Sequence, residues 1–406
     1  MPARSLVWIS VLVVLLCGAP AHAQAPSGTS LDSLLEAHMH PMSLEGTRAS
    51  GPGFDILVES ASTAQFFIIA EEHNLRELNE LSIALFDELQ AKYGFHHLVL
   101  EQGEIIASWI DAAARNGGRD SVNALVRRYP HAPTFATDEE LELMIYVRQA
   151  SPSPEQAVWG VDQELAAMHL LERLAELTES PEARTEMLRL ADEARPHEET
   201  RTGDVHYLYS VANPDEYAAL SGLTDPPEDS EERRVLDALQ RTVQIYSARQ
   251  NPDGVYASNL EREQSMRARF MELYRAVPPN SGPPKALVKM GHWHTLRGFY
   301  RADVLTFGNF LGELAASNDM TSVVAATYVV NSPDAWRNSG GVVARVADPD
   351  GITIVDLRPL RPVTHRDGIA DLGRAWRDLI FQADFLIVIG GGQTGSYRTA
   401  GGTLGR

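Results

Sequence analysis

Cysteine is almost absent from this chain: Cys17 is the only one in 406 residues. It falls inside a segment marked for removal, so the mature chain has neither disulfides nor thiol chemistry and must rely on an apolar core. Long hydrophobic runs are also lacking. The run at residues 6–17 falls short of the ~20 apolar residues needed to cross a bilayer. It follows Arg4 and precedes Ala21-His22-Ala23, the pattern of an export signal cleaved before Gln24. The expected location is therefore periplasmic or secreted, with no integral membrane segment once the signal is gone. Positive charge is short too: 35 Lys and Arg stand against 55 Asp and Glu, a net charge of −20. With no compensating basic stretch, nucleic acid and anionic membrane surfaces are excluded as partners. No Gly-x-Ser-x-Gly nucleophile elbow occurs. Gly390-Gly-Gly-Gln-Thr-Gly395 lacks the lysine and the following helix of a phosphate loop.

What the chain does contain is a series of short apolar runs, at residues 66–70, 98–101, 157–162, 286–290, 323–330, 352–356 and 385–389. These predict buried parallel strands, and the helical patterns between the early ones predict an α/β fold with a mostly parallel central sheet flanked by helices. Leu75, Leu78, Leu81, Leu85 and Leu89 recur at helical spacing, and Gly94 supplies the stop. Residues 181–277 are helical, acidic and nearly strandless, and read as an insertion or cap on the sheet. Its last helix carries Met266, Phe270, Leu273 and Tyr274 on one face. The expected organisation is a signal peptide (1–23), the first half of the α/β core (24–180), the helical cap (181–277), the second half of the core (278–390) and a flexible tail (391–406).

Four predicted strands carry acids or histidines at, or just past, their carboxyl ends: Glu71 and His73, Glu101, Asp162, and His292 and His294. In open parallel sheets the ligand crevice lies outside those ends, where residues distant in sequence converge. In extended chain, Glu71 would sit beside His73 and His292 beside His294. The set suits hydrolysis, with a neutral imidazole taking a proton from water while a carboxylate fixes its tautomer. A second imidazole or an arginine would then protonate the leaving group or hold the oxyanion. Two histidines plus carboxylates also match zinc or iron(II) preferences, although the spacing is not that of a helical His-Glu-x-x-His. Each feature has a plainer reading. Glu71-x-His73 serves equally as a helix N-cap with a solvated histidine, and Asp162 as the cap of a helix starting at Glu164. Of the other histidines, His38 and His40 read as exposed helix, His96 and His97 as structural residues at the far end of a strand, and His206 as lining a lid.

Several patches resemble the erythromycin esterase-like proteins. Phe-Phe-Ile-Ile-Ala-Glu71-Glu-His73-Asn, the following amphipathic helix, and Gly94-Phe-His-His-Leu-Val-Leu-Glu101-Gln-Gly103 resemble that family's opening Gly-Glu-x-x-His stretch and its next strand. Val158-Trp-Gly-Val-Asp162, Arg262-Glu263-Gln-Ser-Met266 and Lys289-Met-Gly291-His292-Trp-His294 match further pieces in the same order. Ala70 stands where a glycine is usual, and the two-residue Glu-to-His spacing is similar to the related Tiki/ChaN group of metal-dependent proteases and haem-binding proteins. The resemblance implies an ester-cleaving hydrolase acting on a small-molecule substrate and needing no cofactor. In it His73 would be the general base, Glu71 and Glu101 would orient or charge the site, and His292 or His294 would assist at the carbonyl or leaving group. Arg262 would pair with Glu101 or hold the oxyanion, and Asp162 would bind substrate. The alternatives it carries are a haem- or metal-binding protein and a metal-dependent peptidase, with Glu71, His73 and His294 as ligands of a divalent metal.

Overall fold

The computed structural model describes residues 29–199, 208, 211–250, 254–279, 282–300, 303–333, 338–370, 372–399 and 402–404. The candidate signal segment and His206 lie outside the described residues. The chain opens with α1 (Leu31–Glu36), β1 (Met39–Glu45), β2 (Arg48–Ser50), α2 (Pro52–Ser60) and β3 (Ala64–Glu71). It continues through α3 (Arg76–Tyr93), β4 (His97–Gly103), α4 (Glu104–Arg128), α5 (Asp138–Ala150) and β5 (Val158–Asp162). A helical stretch follows: α6 (Met168–Leu177), α7 (Pro181–Glu199), α8 (Pro214–Leu223), α9 (Glu231–Ser247) and α10 (Gly254–Ala276). The sheet resumes with β6 (Ala286–Gly291), the short α11 (His292–Thr295), a small hairpin β7 (Phe299–Tyr300) and β8 (Val304–Leu305), α12 (Phe307–Ser317) and β9 (Thr321–Val330). The chain then forms α13 (Val342–Val346), β10 (Ile352–Asp356), α14 (Leu360–His365), α15 (Arg374–Gln382) and β11 (Phe385–Gly390).

Nine strands make one sheet in the order β2-β1-β10-β11-β9-β3-β6-β4-β5. The six from β11 to β5 run parallel, each a short apolar run flanked by helices. Strand β10 departs from the expectation of a parallel strand: it is antiparallel to both β1 and β11. Its apolar run is the same either way, because burial on two faces does not encode direction. His38 and His40 are also not helical. His40 lies in β1, paired with Ile354, and His38 offers its carbonyl to Asp356 N.

Alternation along the strands divides the core. Phe67, Ile69, Leu98, Leu100 and Leu287 pack on the α3–α5 side, whereas Phe66, Ile68, Val99, Val288 and Met290 pack on the α10 and α12 side. Met266, Phe270 and Leu273 join the second layer, so the last cap helix lies directly on the sheet, on the face its spacing predicts. Helices α6 to α9 share a small core of their own, from Ala167 to Val243 together with Ile105. Gly94 closes α3 in the left-handed conformation (φ 72°), as its place after the leucine repeat implies. The glycine-rich segment after Ile389, expected to be flexible, docks instead on two helix starts. Gln393 O accepts from Arg76 N, Gly395 N donates to Asn74 O, and Ser396 O accepts from Asp138 N. The Arg76 and Asp138 amides open α3 and α5, where helix donors have no internal partner, and the Asn74 carbonyl lies just before α3.

Candidate functional site

The four polar strand ends belong to four neighbouring strands, β3, β6, β4 and β5. At ~4.8 Å per strand their ends span roughly 15 Å, within reach of a few long side chains. Those of β3, β6 and β4 border a cleft of about 790 Å³ that also takes in Arg249, Asn259, Trp293 and Tyr328.

Local structure sets each side chain. Strand β3 ends where Thr327 of β9 donates its hydroxyl to Ala70 O and accepts from Glu72 N, both at 2.9 Å. The chain then turns through Asn74, which takes a positive φ of 63°; asparagine tolerates this region better than most residues. His73 is thereby folded back, with Nδ1 3.0 Å from Glu71 Oε1 and its ring stacked on Phe135 at 4.3 Å. In β4 the pairing with β5 becomes irregular after Leu100, which lets Glu101 turn into the cleft.

Glu71 lies on the α3–α5 side of the sheet and Glu101 on the α10 side, and the His73 ring bridges them across the end of β6. Its Nε2 is 3.7 Å from Glu101 Oε2. The crossing requires Gly291: a Cβ there would lie 2.8 Å from His73 Nε2 and 3.1 Å from Glu101 Oε2. Glu101 is the hub. Its Oε2 accepts from Gly291 N at 2.8 Å, and its Oε1 accepts from Arg262 at 2.9 Å and lies 3.5 Å from His294 Nε2. Arg262, on α10, also donates through Nε to Asp162 Oδ1 at 2.9 Å. His294 Nδ1 is 2.6 Å from Glu263 Oε1, on the residue after Arg262. On the opposite side Lys289 Nζ sits 2.6 Å from Glu71 Oε2 and 2.7 Å from Glu140 Oε2, almost wholly buried. Glu140, Lys289, Glu71, His73, Glu101, Arg262 and Asp162 thus form one row in which acids and bases alternate.

That row decides the ionisation. Burial disfavours the His73 imidazolium, but Glu101 and Glu71 outweigh it and raise the group from 6.5 to about 9. Burial would push Glu101 up, yet His294, His73, Arg262 and the Gly291 amide bring it from 4.5 down to about 2. For Glu71, Lys289 and then His73 overcome burial and leave it below the usual carboxylate range. Burial dominates at Glu140, which is raised.

The sequence expectations are met unevenly. Glu71, His73, Glu101, Arg262 and His294 converge as one network. His292 and His294 are not side by side in extended chain. Residues 292–295 form one helical turn, and positions two apart on a helix point to different faces. His294 faces Glu101, while His292 turns toward Tyr328 and Glu72 Oε1, 3.9 Å away. Asp162 does not reach the cleft wall as a substrate contact; it lies buried behind Arg262. Nor does it cap a helix at Glu164, because α6 starts at Met168. His97 is the first residue of β4, buried against Trp159, as its structural reading requires. Lys289, Glu140, Glu263 and Phe135 were not anticipated. Lys289 left one signal, a charged residue within an otherwise apolar strand.

Glu71, His73 and His294 do not fit a divalent metal as a set. Glu71 spends one oxygen on His73 and the other on Lys289, and His294 Nδ1 is taken by Glu263. The fixed cations Lys289 and Arg262 would repel a second positive charge. Among the described residues no cluster of three or more His, Cys, Asp or Glu has a metal-holding arrangement. For haem, Trp293 and Tyr328 are the aromatic faces that the cleft offers beyond its histidines.

The fold and site define an α/β protein with an acid–histidine–arginine cleft at the carboxyl ends of its parallel strands. No protein-family model matches the sequence, and no curated protein matches it. Solved structures do share the architecture. A Bacillus cereus protein aligns over 91% of this chain and 98% of its own, with 17% identity and a TM-score of 0.57. A succinoglycan biosynthesis protein aligns over 89% and 96%, with 14% identity and a TM-score of 0.54. A histidine-to-asparagine mutant of erythromycin esterase EreC, in its open conformation, aligns over 88% and 98%, with 11% identity and a TM-score of 0.54. The chain therefore shares the fold of these three structures.

Proposed function

We propose that the chain is an exported hydrolase that cleaves an ester or similar acyl bond of a small molecule, with His73 moving the proton. The observation that carries this reading is the position of His73. It is held by Glu71 at Nδ1, with Nε2 directed to Glu101 at the wall of an open cleft. A carboxylate on one nitrogen fixes the ring and stabilises its charged form, and leaves the other to exchange a proton with substrate or water.

In the reaction, neutral His73 takes a proton from a water molecule as the water oxygen bonds to the acyl carbon. The carbonyl electron pair moves onto oxygen. The tetrahedral intermediate then collapses, the bond to the leaving oxygen breaks, and His73 returns its proton to that oxygen. His294 and His292 line the same cleft and supply the polar contacts for the developing oxyanion. Arg262 keeps Glu101 ionised and in place. The site's own residues provide the proton transfer, so metal is not required by this mechanism. Export is read from residues 1–23 alone.

The test uses purified mature protein with its metal and haem content determined, assayed on p-nitrophenyl esters before and after chelation. Turnover that survives chelation and is lost in His73→Ala is expected. Stoichiometric haem without turnover on any ester would overturn the reading, as would peptide cleavage that returns only with added divalent metal.

A further inference from the structure

Lys289 is the most completely buried cation near the cleft (1% exposed), yet it does not border it. Burying an ammonium is expensive, and an apolar residue at this point of an apolar strand would normally be at least as stabilising. Its placement has a geometric consequence. Ile69 of β3 pairs with Lys289 of β6, and Glu71 pairs with Gly291, so both side chains project on the α3–α5 side two residues apart in register. Lys289 Nζ takes Glu71 Oε2 at 2.6 Å, which leaves Oε1 as the oxygen that meets His73 Nδ1. Glu140, in the first turn of α5, fixes the ammonium from the other side at 2.7 Å.

We infer that Lys289 is a positioning residue, which locks the Glu71 carboxylate in the orientation that holds the His73 ring across β6. This deepens the hydrolase reading and rests on His73 being the proton carrier. Glu71 has several rotatable bonds, and without a partner on Oε2 its carboxylate would turn to share both oxygens with whatever donors remain. The His73 ring would then lose its Nδ1 anchor while keeping its stacking on Phe135 and its approach to Glu101. With Nδ1 released, the ring is free to tilt Nε2 away from Glu101 and the cleft.

The experiment reads the His73 Nδ1 proton by NMR in protein labelled with ¹⁵N-histidine, assigned by comparison with His73→Gln. In the unsubstituted protein the proton bonded to Glu71 is expected as a downfield, slowly exchanging resonance. In Lys289→Met it is expected to be lost or to exchange at least about tenfold faster. The kcat for p-nitrophenyl acetate should fall about 10²-fold, the scale of a small misplacement of a catalytic group, with KM within about threefold. If Lys289→Met does not fold, Lys289→Met/Glu140→Gln, which removes one charge of each sign, carries the same measurement. An unchanged Nδ1 resonance in a folded variant would overturn the inference. The resonance is read on resting protein, so absence of ester turnover would refute the hydrolase reading, whereas an unchanged resonance would refute only the lock on Glu71.

Discussion

Lys289 Nζ lies 2.6 Å from Glu71 Oε2, so the carboxylate that holds His73 is paired on its other oxygen with a buried cation. The stability consequence is direct. Replacing Lys289 by Met leaves Glu71 and Glu140 facing each other in the core with no cation between them. Breaking a buried pair in this way costs about 3–5 kcal/mol. Urea denaturation should show that loss in Lys289→Met and a smaller one in Lys289→Met/Glu140→Gln. Equal losses in the two variants would show that charge compensation is not what Lys289 contributes.

Gly291 separates site geometry from folding. Its φ is −58°, which any residue can adopt, so alanine is tolerated by the backbone. The added methyl would still lie 2.8 Å from His73 Nε2. Gly291→Ala is expected to cut kcat on an ester probe about 10²-fold while the thermal midpoint moves by only a few degrees. Full activity in this variant would mean that His73 does not work from above β6.

Arg262 holds Asp162 through both Nε and Nη2, and Nη2 also donates to Glu101. Lysine is a point charge that cannot reproduce this fork. Arg262→Lys should therefore lose activity nearly as completely as Arg262→Ala, while recovering part of the stability that Arg262→Ala loses. Substantial activity in the lysine variant would show that only the charge matters.

Stability should depend on pH in a defined way. Glu101 is lowered from 4.5 to about 2 on folding, so its contribution is present above 4.5 and is lost as pH falls toward 2. His73 is raised from 6.5 to about 9, so its contribution is complete below 6.5 and is lost as pH rises through 9. Together they stabilise most between about pH 4.5 and 6.5. Urea midpoints of the unsubstituted protein and of His73→Gln should differ most in that window and converge above about pH 9. A difference independent of pH would contradict the assignment.

Much of this was legible in the sequence, for a physical reason. Strands buried on both faces must be continuous apolar runs, so all seven predicted strands are present, and a polar residue at the end of such a run stands out. Glu71, Glu101 and His294 stand out in this way. Glu140 was hidden in the acidic run Asp138-Glu139-Glu140, the normal composition of a helix's first turn. Lys289 was visible as an anomaly, but its partners come from β3 and α5, and only the sheet order β3-β6-β4 brings them together. The antiparallel direction of β10 has the same origin, since strand order is a property of the assembled sheet. The docking of residues 391–396 depends on helix-start amides that glycine-rich composition does not reveal.

On the proposed reading, His73 in its neutral form and without metal activates water in this cleft. The most direct measurement is kcat/KM for a p-nitrophenyl ester against pH on metal-depleted protein. The neutral fraction of a group with a pKa of about 9 rises nearly tenfold per pH unit below that value. Activity is expected to climb with this slope, to level near pH 9 and to be absent in His73→Gln. A profile flat from about pH 6 to 9, or activity that appears only when a divalent metal is restored, would contradict that reading.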